Sequence, residues 1–188
     1  GPDEPGGTWS DGTVTFGFNR LSFIDIAHSH QPLRWGPPEA PQRYELVFNG
    51  EIYNYLELRE ALRSEFGATF ATEGDSETIV AAYHHWGTDA LNRLRGMFAF
   101  ALVDHRSDEV VLARDRLGIK PLYLHERGGR VRFASTLPAL LAGGDVGSEI
   151  DPVALQHYLT FHSVVPGART ILAEVRRVEP ATIVRIAA

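Results

Sequence analysis

The sequence of 188 residues contains no cysteine. That excludes disulfides, thiolate metal sites and a thiol nucleophile within these residues. No apolar run approaches the roughly 18 residues that cross a bilayer, and no basic segment followed by an apolar one stands at the front. The expectation is a cytoplasmic location without a membrane partner. Positive charge is also short: 18 Lys and Arg face 24 Asp and Glu, a net charge of −6, and no basic run exceeds the pair Arg176-Arg177. A nucleic-acid partner needs a basic footprint that is missing here. The motifs G-x-G-x-x-G, G-x-x-x-x-G-K-[ST] and H-E-x-x-H are absent too, and with them the sequence-level case for a dinucleotide fold, a P-loop or a zincin.

What remains is an ordinary globular composition, 44% hydrophobic and 22% charged, long enough to bury about 70% of its unfolded surface. The length fits one domain. Residues 1–12, rich in Gly and Pro, read as a loop leading to an alternating strand at 13–18, and residues 27–43 read as a surface excursion. Residues 44–48 form a strand by β-propensity that stops at Asn49-Gly50, where a turn is expected. From Asn54, a plausible N-cap, the period becomes helical: Leu56, Leu58, Leu62 and Phe66 alternate with a polar set that includes Arg59, and Gly67 closes the helix. Asp75 or Ser76 caps a second helix that Gly87 ends, and a short third one covers 88–95.

Residues 97–103 then read as a strand buried on both faces. Residues 109–114, 122–125 and 131–134 continue as an antiparallel meander. Helices recur at 138–141 and after Asp151-Pro152, where an N-cap precedes a proline in the first turn. Strands and helices in this order indicate an α+β fold.

Histidines at His28-Ser29-His30 and His84-His85 are better read as solvated or locally bonded than as metal ligands, and Trp9, Trp35 and Trp86 as packing residues. The informative stretch is Phe48-Asn49-Gly50-Glu51-Ile52-Tyr53-Asn54. An amide side chain and a bare glycine N–H at the end of a buried strand can form an oxyanion hole. The same residues also make a plain strand-to-helix turn.

This stretch resembles the hallmark of class II glutamine amidotransferases, in the form found in the glutaminase domain of bacterial glutamine-hydrolysing asparagine synthetases. Five further segments agree in order. Gly1-Pro2-Asp3 is similar to an early turn of that family, Arg20-Leu21-Ser22-Phe23-Ile24-Asp25 to its glutamine-binding strand with Gln31-Pro32 after it, and Gly74-Asp75-Ser76-Glu77 to the start of its second helix. Leu94-Arg95-Gly96-Met97-Phe98-Ala99-Phe100 resembles a core strand, and the segment from Arg114-Asp115-Arg116 to Pro121-Leu122-Tyr123 a hairpin.

The resemblance implies an N-terminal-nucleophile hydrolase fold, a four-layer α/β/β/α sandwich, with residues 1–188 as a single glutamine amidotransferase domain of type 2. It implies L-glutamine as substrate, with Arg20 on the α-carboxylate and Asp75 on the α-ammonium. Leu21, Ser22, Phe23, Ile24 and Glu51 would line the pocket, and Asn49 with the Gly50 N–H would hold the oxyanion. A free amino acid shows one cation and one anion, so a selective pocket needs one of each in return.

In the family an N-terminal Cys attacks the glutamine amide, and this chain has none. The expectation is that a segment carrying it, normally before the Gly-Pro-Asp turn, is missing from the sequence. A non-catalytic glutamine-binding module, or the glutaminase domain of a related amidotransferase with another acceptor, are the alternatives. No cofactor is expected in this domain. ATP and Mg²⁺ are expected in a C-terminal synthetase domain not contained in the chain, which would be its partner, and the resemblance leaves room for a homodimer. Residues 97–103 are read as core, with a contribution to an ammonia passage as the sharper alternative.

Overall fold

The computed structural model describes residues 7–19, 30–162 and 167–187. The expectations placed on Gly1-Pro2-Asp3, on Arg20, Leu21, Ser22, Phe23, Ile24 and Asp25, and on His28 and Ser29 lie outside the described residues. In chain order the elements are β1 (Thr8–Ser10), β2 (Thr15–Gly17), β3 (Leu33–Trp35), β4 (Tyr44–Ile52), α1 (Tyr55–Phe66) and α2 (Asp75–Trp86). A single 3₁₀ turn leads to α3 (Ala90–Arg93), followed by β5 (Gly96–Asp104), β6 (Glu109–Arg114), β7 (Tyr123–Arg127) and β8 (Arg130–Ala134). The chain continues through α4 (Leu137–Ala142), α5 (Pro152–Phe161), β9 (Val175–Arg177) and β10 (Ile183–Ala187). The class is α+β, as the order of periods indicates. Two compact units divide the chain, one reaching Ala113 and regaining the segment from Ile183, the other spanning Arg114–Thr182.

In the first unit, among the described residues, an antiparallel sheet is ordered β10-β6-β5-β4-β3. Its backbone is the long β4–β5 ladder, in register from Tyr44 opposite Asp104 to Ile52 opposite Gly96. Side chains alternate across a strand, so Tyr44, Leu46 and Phe48 share a cluster with Phe98, Phe100 and Leu102. Leu58 of α1 and Ile79 and Val80 of α2 complete that cluster, which fixes the helices against the sheet. Residues 97–103 are a strand in the interior, as their unbroken apolar run implies.

Several local readings change. The strand at 44–48 does not stop at Asn49-Gly50 but runs on to Ile52, with Asn49 opposite Ala99 and Gly50 opposite Phe98. The dipeptide that commonly makes a turn is here accommodated inside a ladder, because Gly50 takes φ +154° and has no β-carbon to collide with Met97. Asn54 precedes α1 as expected, yet its side chain does not cap that helix. Its amide donates to the Arg93 carbonyl at 3.0 Å and accepts the Arg95 N–H at 2.8 Å. Gly74, not Asp75 or Ser76, is the cap residue of α2. Three-residue strands also lie inside segments read as loops, β1 within 1–12 and β3 within 27–43. A window that short carries too little alternation to register.

In the second unit, among the described residues, β7 lies between β8 and β9. The expected meander is interrupted, since β6 pairs with β10 and not with β7. The segment from Arg114 to Tyr123 is not a hairpin. The buried Asp115 carboxylate accepts the N–H groups of Leu117, Ile119 and Lys120 at 3.0, 2.9 and 3.0 Å. The Arg114 guanidinium donates to the carbonyls of Lys120, Gly118 and Val178 at 2.7, 2.6 and 2.5 Å. Two side chains thus saturate the backbone of a loop that no ladder could satisfy. Asp151 caps α5 as expected, accepting from Val153 and Ala154 N–H at 2.9 and 3.0 Å ahead of Pro152.

The end of the β4–β5 ladder tolerates no added methyl group. A β-carbon on Gly96 would sit 2.1 Å from the Glu51 carbonyl oxygen. Gly96→Ala is expected to lower the urea midpoint with an unchanged m-value, by the roughly 1–3 kcal/mol of an overpacked interior.

Candidate active site

The close approach that the two glycines permit brings Asn49, Gly50 and Glu51 to the last rungs of β4, opposite residues 97–99. A β-carbon on Gly50 would lie 2.1 Å from the Met97 carbonyl oxygen and 2.7 Å from the Phe98 Cα. Upstream, the Phe48 N–H is taken by the Gln31 side-chain oxygen at 2.6 Å, so a residue of the segment before β3 pins this strand. Asn49 is half-buried and its amide makes no hydrogen bond to a described residue.

The rung at Ile52 is closed by a side chain. Asp75, the first residue of α2, accepts the Ile52 N–H through Oδ2 at 3.0 Å. It is only 6% exposed. Burial pushes its carboxyl above the ordinary carboxylate range, against the bonds from Ile52 and the helix start, and the Glu51 carboxylate nearby adds to the rise. Among the described residues neither Glu51 nor Asp75 has a cationic partner. Among the described residues this strand end thus carries two carboxylates, that of Asp75 buried, with no cation beside them, a complement to a small cation such as an ammonium.

The placement of Asp75 depends on residues that sequence reading passed over. Arg59, expected on the polar face of α1, is 1% exposed. Its Nε donates to Thr78 Oγ1 at 2.8 Å, and its Nη atoms donate to the carbonyls of Thr72 and Gly74 at 2.7 and 2.5 Å. Its guanidinium lies over the Phe70 ring, 4.4 Å from the centroid. Glu77, 2% exposed, accepts the N–H groups of Ala71 and Thr72 and the Thr72 hydroxyl at 2.9, 2.7 and 2.8 Å. Trp35 Nε1 reaches it at 3.3 Å, and Arg59 stands 3.8 Å away. Together they fold residues 70–74 onto the start of α2. The only sequence hint was a glutamate in the first helical turn, a common surface feature.

The structure therefore brings Asn49, Gly50, Glu51 and Asp75 to one strand end, while Arg20, Leu21, Ser22, Phe23 and Ile24 lie outside the described residues. His84 is locally bonded, its Nδ1 3.2 Å from the Tyr44 hydroxyl, and His85 stacks on Phe66 at 4.4 Å.

Comparison with known proteins decides the family. The glutamine amidotransferase domain family matches residues 1–188. The chain belongs to that family. A Mycobacterium tuberculosis protein named as a candidate glutamine-hydrolysing asparagine synthetase is 58% identical over 198 aligned positions, which take in 100% of this chain and 30% of that protein. Glutamine-hydrolysing asparagine synthetase 1 of Bacillus subtilis is 46% identical over 182 residues, 96% of this chain and 27% of that protein. The amidotransferase chain thus spans less than a third of the length of these relatives. Among solved structures, glutamine phosphoribosylpyrophosphate amidotransferase from Bacillus subtilis aligns at 24% identity over 56% of this chain and 24% of that one, with a TM-score of 0.48. No helix among the described residues is long and apolar enough to cross a membrane.

Removing the buried guanidinium breaks its pairing with Glu77, a loss of roughly 3–5 kcal/mol for a broken buried pair. Arg59→Met is expected to destabilise the domain by that order in chemical denaturation. It is also expected to speed amide exchange at Ala71 and Thr72 before other sites.

Proposed function

We propose that this domain hydrolyses the side-chain amide of L-glutamine and passes the ammonia to a synthetase part of the same polypeptide. There aspartate would be amidated with ATP and Mg²⁺, in the cytoplasm. The observation that carries the reading is the buried Asp75 carboxylate, beside Glu51 and without a cationic partner among the described residues, at the strand end that also holds Asn49 and Gly50. The names of the two asparagine synthetase relatives support the acceptor.

On this reading the α-ammonium of glutamine docks on Asp75 and Glu51, and Arg20 takes the α-carboxylate as a two-pronged partner. Leu21, Ser22, Phe23 and Ile24 wall the pocket. The nucleophile is a cysteine thiolate from outside the 188 residues, since they contain no cysteine. Its sulfur forms a bond to the amide carbon, and the carbonyl oxygen becomes an oxyanion stabilised by the Asn49 amide and the Gly50 N–H. Collapse of this adduct, with a proton delivered to the leaving nitrogen, releases ammonia and leaves a thioester that water opens to glutamate.

The raised carboxyl of Asp75 has a stability consequence with a definite sign. A fold that disfavours the charged form carries that cost in full above the native value, and loses it as pH falls toward the unfolded value. A neutral isostere removes the cost at neutral pH while its oxygen can still accept the Ile52 N–H.

Asp75→Asn in the full-length protein should therefore unfold no earlier than the parent in thermal or urea melts. Its KM for glutamine should nevertheless rise about 30-fold or more, from the roughly 2–5 kcal/mol lost when one charge of a desolvated pair goes unmatched. Product formation driven by added ammonia should be unchanged. Glutamine kinetics equal to the parent's would overturn the pocket. Asn49→Ala should act on the other parameter, lowering kcat for glutamine by about 10²- to 10³-fold, the usual loss for one oxyanion donor.

A further inference from the structure

A helix that is apolar nearly all round is normally buried. Helix α5 breaks that rule. Ala154 is its one fully buried residue among those described. Leu159 is 68% exposed, Phe161 55%, Tyr158 51%, Val153 41% and Leu155 36%, and Ile150 just before the helix is 54% exposed. At 3.6 residues per turn the five helical positions cover an arc of about 240°. No Asp, Glu, Lys or Arg occurs between Asp151 and Arg169. The helix is firmly built, capped by Asp151 and closed at His162, whose N–H donates to the Tyr158 carbonyl at 2.8 Å. The exposure is thus a property of an ordered element. A contiguous apolar surface of this kind marks an interaction site.

We propose that the exposed face of α5 is the surface on which the synthetase part of the polypeptide docks, an inference that rests on the function proposed above. Two observations select this occupant. The helix has no Asp, Glu, Lys or Arg, and interfaces that stay closed are the apolar ones, whereas surfaces that bind and release keep a polar, charged character. The Mycobacterium tuberculosis relative carries more than two thirds of its length outside the matched part. A part joined through the same chain is present at high effective concentration at all times, so a surface this apolar need never face water. A covered α5 would also hold the two catalytic parts in one orientation, which passage of ammonia between them requires.

The test uses the full-length protein with the photoreactive residue p-benzoylphenylalanine in place of Leu159, and in place of Glu60 on α1 as a control. Irradiation followed by peptide mass spectrometry is expected to join position 159, and not position 60, to residues of the same polypeptide outside the 188. A cross-linked dimer would identify a second copy as the occupant and overturn the proposal. Cross-links only within the 188 residues, or none, would overturn it equally. A second variant reads function: Leu159→Lys is expected to keep glutamine hydrolysis and ammonia-driven synthesis while glutamine-driven synthesis falls at least tenfold. Glutamine-driven synthesis equal to the parent's would count against the proposal. The cross-link does not depend on glutamine turnover. An inert glutaminase with the expected cross-link would therefore reject the proposed function and leave the docking surface standing.

Discussion

The buried pair of Arg59 and Glu77 is the constraint on which the site depends. Charge taken out of water is tolerated only when its partners are supplied in full. Here nearly every partner comes from residues 71–78: two N–H groups and a hydroxyl for the glutamate, and two carbonyls and a threonine hydroxyl for the arginine. A loop with no ladder of its own is thereby given one conformation. Its last residue is Gly74, and the next residue is Asp75 at the start of α2.

The position so imposed is unfavourable to Asp75 itself. Its carboxyl rises above the ordinary range because burial outweighs the hydrogen bonds it receives, and Glu51 adds repulsion. The rise comes although Asp75 begins a helix, where a negative charge is ordinarily favoured. Binding sites commonly hold such disfavoured groups, because the ligand then restores what the fold withheld. Gly50 and Gly96 belong to the same economy of space. Each lets one strand approach the other where a β-carbon would lie 2.1 Å from a carbonyl oxygen.

Long periodic elements were legible in the sequence. The amphipathic run closed by Gly67, the apolar run before Asp104 and the Asp151-Pro152 helix start are where the pattern placed them, within a residue or two. The motif residues Asn49, Gly50, Glu51 and Asp75 were singled out through resemblance rather than periodicity, and they lie at one strand end. What escaped was tertiary. Asn-Gly favours turns locally, and only the partner strand β5 lets it continue a ladder. Arg59 fits the polar face of α1 by spacing, and Phe70, Thr72, Gly74, Glu77 and Thr78, brought in from later in the chain, make that face an interior. Asn54 stands where a cap should be, yet its amide is taken by Arg93 and Arg95 some forty residues on.

Asp75 has no cationic partner among the described residues, and in the proposed function it receives an ammonium. The most direct measurement is its titration by carbon NMR in full-length protein labelled at aspartate carboxyls, with Asp75→Asn supplying the assignment. L-glutamate is a suitable ligand because it keeps the α-ammonium and α-carboxylate of glutamine and is not consumed. Without ligand Asp75 should titrate above the usual value of about 3.9, and saturating glutamate should move it down. A carboxyl that titrates at or below the usual value in the free protein, or one that glutamate leaves unmoved, would contradict the account.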